Sequence, residues 1–159
     1  MALKNSHKLL IFLGIAYFAE FVGSAITIPM IDTWYVTLNK PMFNPPSWVF
    51  APTWTLLYSL MGIASYLVWQ KDINRKLVRT ALLIFYIQLA LNVLWSFLFF
   101  GMLSLNYAFV EILILWIFIL ITIIYFLRIS GLAGVLLIPY LIWVSYAALL
   151  NYSFWMLNR

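Results

Sequence analysis

The residues best suited to chemistry in this sequence are tryptophans, amides and two acids, set at helical spacing in apolar surroundings. Trp54, Tyr58, Met61 and Ser65 fall at i, i+4, i+7 and i+11, which places them on one helix face. Gln88, Asn92, Trp95 and Phe99 repeat that spacing, and Trp143, Ala147, Leu150 and Asn151 fall at i, i+4, i+7 and i+8. Indole and phenol rings stack on flat ligands, while N–H and amide groups orient a ligand's polar edge. Glu20 and Glu111 lie inside apolar runs. An ionised acid at the bilayer centre costs about 3 kcal/mol or more, so each is a candidate functional group. No nucleophile–base pair, glycine-rich phosphate loop, metal cluster or pair of carboxylates accompanies them, which argues against a conventional hydrolase, kinase or redox enzyme. With no cysteine and a single histidine, His7, neither thiol catalysis nor a metal site is expected.

A membrane bundle must position these faces. The chain is 67% hydrophobic and 8% charged, against about 25% charged in soluble domains, so the lipid bilayer is its first partner. The length fits one domain, an all-α integral membrane bundle of five transmembrane helices. Spans are expected at about 9–28, 47–69, 80–101, 107–127 and 135–156; roughly 20 residues cross the hydrocarbon core. Gly23-Ser24-Ala25 imitates a signal-peptidase site, but the run from Leu9 is long enough to span and is read as an uncleaved helix. Residues 29–46 form a loop. Five of the six prolines fall between Pro29 and Pro52, and Pro41, Pro45 and Pro46 forbid regular helix there. A stiff segment carrying Trp34, Tyr35, Phe43 and Trp48 is thus delivered onto the mouth of the second span. It reads as a lid, with the Trp54 face as one wall of a pocket.

Seven of the nine lysines and arginines fall in the N-terminus, the 70–79 loop and the 128–134 connection, and only Lys40 and Arg159 fall on the other side. The net charge of +5 is therefore read as topology, with no nucleic-acid partner. The N-terminus lies in the cytoplasm and the lid outside. This suits a multi-pass protein of a bacterial inner membrane; the mitochondrial outer membrane is the alternative for a eukaryotic host. Buried amides in hydrocarbon need partners, so Gln88, Asn92 and Asn151 face inward, either as interhelical hydrogen bonds or as polar points in a pocket. Trp69, Trp116 and Trp155 are candidates for the interfacial belt. Glu111 reads as solvated near the interface. Glu20 is deeper: neutral, paired across helices with an amide or hydroxyl, or at an oligomer interface. Ala19 and Gly23 form a small-xxx-small pair suited to a second subunit.

The stretch WYVTLNKPMFNPPSWVFAPTWTLLYSLMGIASYLVW from Trp34 to Trp69 resembles the translocator protein family, the tryptophan-rich sensory or peripheral benzodiazepine receptor-like membrane proteins. Gln88-Leu89-Ala90-Leu91-Asn92 with Trp95 and Phe99-Phe100-Gly101 is similar to a second block of that family. Pro139-Tyr140-Leu141 with Trp143, Ala147 and Leu150-Asn151 is similar to a third. The resemblance runs from about Phe21 to Asn151. It implies a homodimer and a cavity closed by the first loop, accepting porphyrins (protoporphyrin or haem) and synthetic isoquinoline carboxamides, with no cofactor required. Carried over by motif, the ligand-binding residues are Trp34, Trp48, Trp54, Tyr58, Asn92, Trp95, Trp143, Ala147 and Asn151. The implied function is a receptor or sensor that regulates or scavenges tetrapyrroles. One alternative is a small transporter of tetrapyrrole or sterol, although five spans cannot divide into equal inverted halves. The other is a light-dependent porphyrin-degrading enzyme with Trp54 and Trp143 as the reactive, catalytic groups. A sterol is poorly supported: six residues separate Tyr152 from Arg159, where the proposed cholesterol motif allows about one to five.

Overall fold

The structure, a computed structural model, describes residues 5–159. Lys4, counted above with the N-terminal basic cluster, lies outside the described residues. Those residues hold helices and no strand: α1 (Asn5–Ile31), α2 (Phe50–Trp69), α3 (Lys76–Ser96), α4 (Leu105–Ile129), the short α5 (Gly131–Val135) and α6 (Ile138–Leu157). A π-helical turn, Phe97–Gly101, extends α3, and one-turn 3-10 helices at Tyr35–Thr37 and Ser47–Val49 lie between α1 and α2.

Four segments are long and apolar enough to cross a membrane: His7–Ile31, Lys76–Gly101, Leu105–Ile129 and Gly131–Leu157. The expectation of five spans is met at four. The exception is α2, whose 20 residues would reach about 30 Å at 1.5 Å per residue. It carries Pro52, Thr53, Thr55, Ser59 and Ser65 beside Trp54 and Tyr58, and these polar and amphipathic groups set it apart from its neighbours.

Three expected boundaries move. The lid was expected from residue 29, but α1 continues through Pro29 to Ile31. Proline removes one donor, to the Ala25 carbonyl, and the final turn beyond it closes with its own bonds. The Thr33 hydroxyl donates to Pro29 O at 2.9 Å and Trp34 N to Met30 O at 3.1 Å. Similarly, α3 begins at Lys76 inside the expected basic loop, and the expected 128–134 connection is mostly helical, since α4 runs to Ile129 and α5 starts at Gly131. Between α3 and α4 the chain reverses with Leu103 at φ 53°, a left-handed conformation rare for a branched side chain.

The core has two parts. The larger joins α2, α3, α4 and α6 through Met61, Phe85, Ile112, Leu115, Ile119, Phe126, Tyr140 and Val144, with Phe85 stacked on Phe126 at 5.7 Å. The smaller lies beneath the lid, around Tyr35, Phe99, Phe100, Leu150 and Phe154. Helix α1 packs mainly through small residues. Phe12, Ala16, Ala19 and Gly23 are buried at i, i+4, i+7 and i+11, and a Cβ on Gly23 would stand 3.3 Å from Ser96 Oγ. The Ala19/Gly23 pair, expected at a subunit contact, is thus spent on close approach within the chain. Trp69 and Trp155 sit near helix ends, as belt residues would. Trp116 does not: it lies midway along α4 and its indole donates to Ser145 Oγ on α6 at 2.7 Å.

Helices α1 and α2 approach closely at Gly62, where a Cβ would lie 2.8 Å from Leu13 Cδ2 and 3.0 Å from Leu13 Cα. Gly62→Leu must push α1 off α2 and is expected to cost about 1–3 kcal/mol, the range for overpacking. Gly14 has nothing within 4 Å, so Gly14→Ala is expected to be neutral or to gain up to about 1 kcal/mol from helix propensity. Thermal unfolding in detergent, followed by circular dichroism, checks both.

Candidate functional site

A cavity of about 230 Å³ lies between α1, α2, α3 and α6 and is bounded on the lid side by Tyr35 and Ser47. Each wall is a helical stripe. Glu20, Ser24, Thr27 and Ile31 come from α1, Phe50, Trp54 and Tyr58 from α2, and Ala147, Leu150, Asn151 and Phe154 from α6. On α3 the stripe is Asn92, Trp95, Ser96, Phe99 and Phe100. Phe99 and Phe100 both reach the wall, as the adjacent pairs Trp95/Ser96 and Leu150/Asn151 do. Both lie in the π turn at Phe97–Gly101; such turns recur at functional sites.

Two buried amides tie the walls together. Asn92 accepts from the Tyr58 hydroxyl at 2.8 Å and donates to Tyr140 Oη at 2.6 Å, linking α2, α3 and α6. Asn151 accepts from the Trp95 indole at 3.0 Å and donates to Leu105 O at 2.9 Å, linking α6, α3 and α4. The two roles weighed for these amides therefore coincide: both make interhelical hydrogen bonds, and both face the cavity. Gln88 is buried but off the cavity wall. Its amide nitrogen approaches Met61 Sδ at 3.9 Å and its Oε1 has no partner.

The lid is fastened at three points. Tyr35 packs on Phe100 and Phe154 at 6.1 and 5.5 Å and donates to Asn44 Oδ1 at 2.9 Å, with the Lys40 ammonium 4.6 Å from its ring centroid. Burial pushes the Tyr35 phenol above its ordinary value, partly offset by the Asn44 hydrogen bond, so it remains a donor at neutral pH. The Tyr146 hydroxyl donates to Phe43 O at 2.6 Å. Asn39 N donates to Asn158 Oδ1 at 2.8 Å, and Asn158 Nδ2 to Asn39 O at 3.0 Å.

Of the expected ligand-binding residues, Trp54, Tyr58, Asn92, Trp95, Ala147 and Asn151 lie on the cavity wall, whereas Trp34, Trp48 and Trp143 do not. Trp34 stands behind the wall, edge-on to Phe99 and Phe100 at 5.6 and 6.2 Å. Trp143 also stands behind it, edge-on to Trp54 at 6.4 Å and 87°. Trp48 is 74% exposed. It sits in a 3-10 turn, where neighbours point about 120° apart, and Ser47 takes the wall position. The α1 stripe escaped the sequence analysis except for Glu20. The signal was present: Glu20, Ser24 and Thr27 are polar at i, i+4 and i+7 in an apolar run.

The two acids have different surroundings. Glu20 is paired with a hydroxyl, one of the expected alternatives, because Thr55 Oγ1 on α2 donates to its Oε1 at 2.8 Å. Glu111 departs from expectation. It is 5% exposed and neither oxygen has a partner. Solvation near the interface fails because Glu111 falls on the packed stripe of α4, beside Ala108, Ile112 and Leu115. Among the described residues no cluster of His, Asp or Glu could hold a metal ion.

Residues 11–156 match the model of the TspO/MBR family. The chain is 42% identical over 155 residues to the tryptophan-rich protein TspO of Chlorobaculum tepidum, covering 98% of both chains. It is 42% identical over 139 residues to the protein of the same name from Archaeoglobus fulgidus, covering 87% of this chain and 88% of the relative. It is 41% identical over 128 residues to the translocator protein of Ovis aries, covering 79% and 75%.

Asn151→Leu leaves the part-buried Trp95 N–H without its partner and removes a second bond to the Leu105 carbonyl, and is expected to lower stability by about 1–3 kcal/mol, the cost of an orphaned buried group. Tyr146→Phe removes only the lid contact to Phe43 and is expected to cost about 1 kcal/mol, with faster amide exchange confined to 32–46. Denaturant titration and hydrogen-exchange mass spectrometry in detergent check the pair.

Proposed function

The chain belongs to the TspO/MBR family, and from that premise we propose that it is a membrane receptor or sensor whose intrabundle cavity takes up flat hydrophobic ligands, porphyrin-type tetrapyrroles and isoquinoline carboxamides among them. It is a multi-pass membrane protein, and its relatives carry sensory and translocator names. The observation that carries the reading is the cavity wall itself. Trp54, Trp95, Phe99 and Phe100 offer ring surface, and the Asn92 and Asn151 amides are held at fixed positions beside it. Rings of this kind stack on planar ligands, and few, fixed polar groups set orientation.

The cavity, at about 230 Å³, is smaller than the roughly 300–1,000 Å³ of most ligand sites. A macrocycle therefore requires the lid to shift, and the lid is held by the few hydrogen bonds described above. Helix α2 is assigned as a fifth span: its length suffices, and its Trp54 and Tyr58 turn to the cavity. The excess of Lys and Arg at the N-terminus and in 70–79 and 128–134 supports an N-terminus in the cytoplasm, the lid outside, and a bacterial inner membrane. A homodimer is part of this reading, with an interface other than the Ala19/Gly23 pair.

One contact favours a second reading, light-dependent breakdown of a bound porphyrin: Trp54 on the wall touches Trp143 behind it. An indole pair beside an excited macrocycle is the readiest site of oxidation here. Illumination of the complex with oxygen should then give a defined product that disappears in Trp54→Phe and Trp143→Phe while binding persists. Equal bleaching in empty micelles removes this reading.

For the first reading, quenching of tryptophan fluorescence by protoporphyrin is expected to saturate at one ligand per chain. Ala147→Trp, which fills the cavity, is expected to weaken it at least tenfold, the equivalent of about 1.4 kcal/mol. Unchanged affinity in that variant would place the ligand elsewhere.

A further inference from the structure

Helices α1 and α2 run antiparallel, and their contacts step along one seam. Leu13 meets Gly62, the Tyr17 and Ser59 hydroxyls lie 2.8 Å apart, and Thr55 Oγ1 donates to Glu20 Oε1 at 2.8 Å. Each contact moves one helical turn up α1 and one turn down α2. The same register carried toward the lid sets Ser24 opposite Ala51 and Ile28 opposite Ser47. All four line the cavity. Small residues in a membrane seam usually let two helices close up. Here Ser24, Ala51 and Ser47 border open space instead.

The other seams of the cavity are filled. Helix α1 meets α3 where a Cβ on Gly23 would stand 3.3 Å from Ser96 Oγ, and one on Gly101 would stand 3.5 Å from Ile26 Cγ2. The α3–α6 seam carries the Trp95–Asn151 hydrogen bond and the Phe99–Phe154 ring contact at 6.0 Å. Between α2 and α6, Trp143 stands edge-on to Phe50 at 5.9 Å and to Trp54 at 6.4 Å. Buried Tyr35 closes the lid side. Exposure follows the same division. Asn92, Phe100 and Asn151 on the far walls are buried, whereas Ile28 is 64% exposed and Ala51 and Ser47 are exposed as well. A side chain that lines a cavity and is also exposed stands at its mouth.

We infer that the α1–α2 seam between Glu20 and the lid is a window onto the bilayer, through which the cavity takes flat hydrophobic ligands already dissolved in the lid-side leaflet. The inference rests on the reading of the cavity as a ligand site. Both helices cross hydrocarbon in that reading, so a gap between them faces lipid, where hydrophobic ligands concentrate. The Glu20–Thr55 bond closes the seam on the side away from the lid. The lid shift that a macrocycle needs enlarges the cavity; it is not the entrance.

The chain has no cysteine, so thiol pairs can be introduced singly. Ser24→Cys with Ala51→Cys is bridged across the window by a bifunctional methanethiosulfonate, and Asn39→Cys with Asn158→Cys clasps the lid in the same way. Release of tritiated 1-phenylisoquinoline-3-carboxamide from the full chain in phosphatidylcholine nanodiscs is followed by filtration, before and after reductant. Bridging the window is expected to slow release about tenfold or more, reversibly, while the lid clasp changes it by less than about twofold. Slower release is the opposite of what a damaged site gives, because lost contacts speed dissociation. Ile28→Trp, which bulks the mouth without a cross-link, is expected to slow release as well, and slowing in either window variant supports the inference. Release that is unchanged or faster in both window variants, or slowed by the lid clasp instead, would overturn it. Binding in the wild type that does not saturate, or that Ala147→Trp does not weaken, would instead remove the ligand-site reading, and the inference with it.

Discussion

An amide buried in a bilayer has no water to fall back on, and this constraint organises the bundle. Asn92 finds its partners on two other helices, Tyr58 on α2 and Tyr140 on α6. Asn151 finds its own on α3 and at the first turn of α4. Nonpolar packing between transmembrane helices discriminates weakly among registers, because lipid is as apolar as leucine. Four directional hydrogen bonds discriminate strongly, since a slip of one residue in any helix would orphan a donor or acceptor at a cost of about 1–3 kcal/mol. The same bonds lock Tyr58, Asn92, Trp95 and Asn151 in the orientations that form the cavity wall. The groups that specify the bundle are therefore also the groups that shape the site.

Close approach elsewhere leaves this space open. Small residues on α1 and Gly62 on α2 bring those two helices together at Leu13, while the aromatic stripes of α2 and α3 keep their backbones apart farther along. The π turn in α3 adds Phe100 to the wall beside Phe99. Helix α2 turns Phe50, Trp54 and Tyr58 to this cavity, while Thr55 and Ser59 lie at its seam with α1. The lid closes the same end with short-range bonds to Asn158 and Tyr146, few enough to open without disturbing the helices.

The two intramembrane acids show how position decides role. Glu20 stands at a seam, with a hydroxyl partner and access to the cavity. Glu111 is enclosed on the packed stripe of α4 with both oxygens unsatisfied, a costly arrangement in hydrocarbon. Gln88 Oε1 is the other buried side-chain atom without a partner among the described residues.

Composition and periodicity alone established a membrane-embedded all-helical chain. They also established the faces carrying Trp54, Tyr58, Asn92, Trp95 and Asn151, because a 3.6-residue repeat of polar and aromatic groups in apolar helices survives any packing arrangement. The proline-rich connection was legible for the same local reason. Tertiary structure decided what depends on neighbours. Pro29 stays within α1, whose last turn closes through Thr33 and Trp34 onto the Pro29 and Met30 carbonyls. Ala19 and Gly23 face α2 and α3 rather than another subunit, a choice that small-residue spacing does not encode. Trp34 and Trp143 stand behind the wall because Phe99, Phe100 and Trp54 occupy the space in front, and Trp48 turns outward because Ser47 turns inward. Helix α1 contributes Glu20, Ser24 and Thr27 to the cavity only because α2 and α3 pack on that side of it. Local sequence fixes which residues share a face; only the partners of that face determine whether it meets a helix, a cavity or lipid.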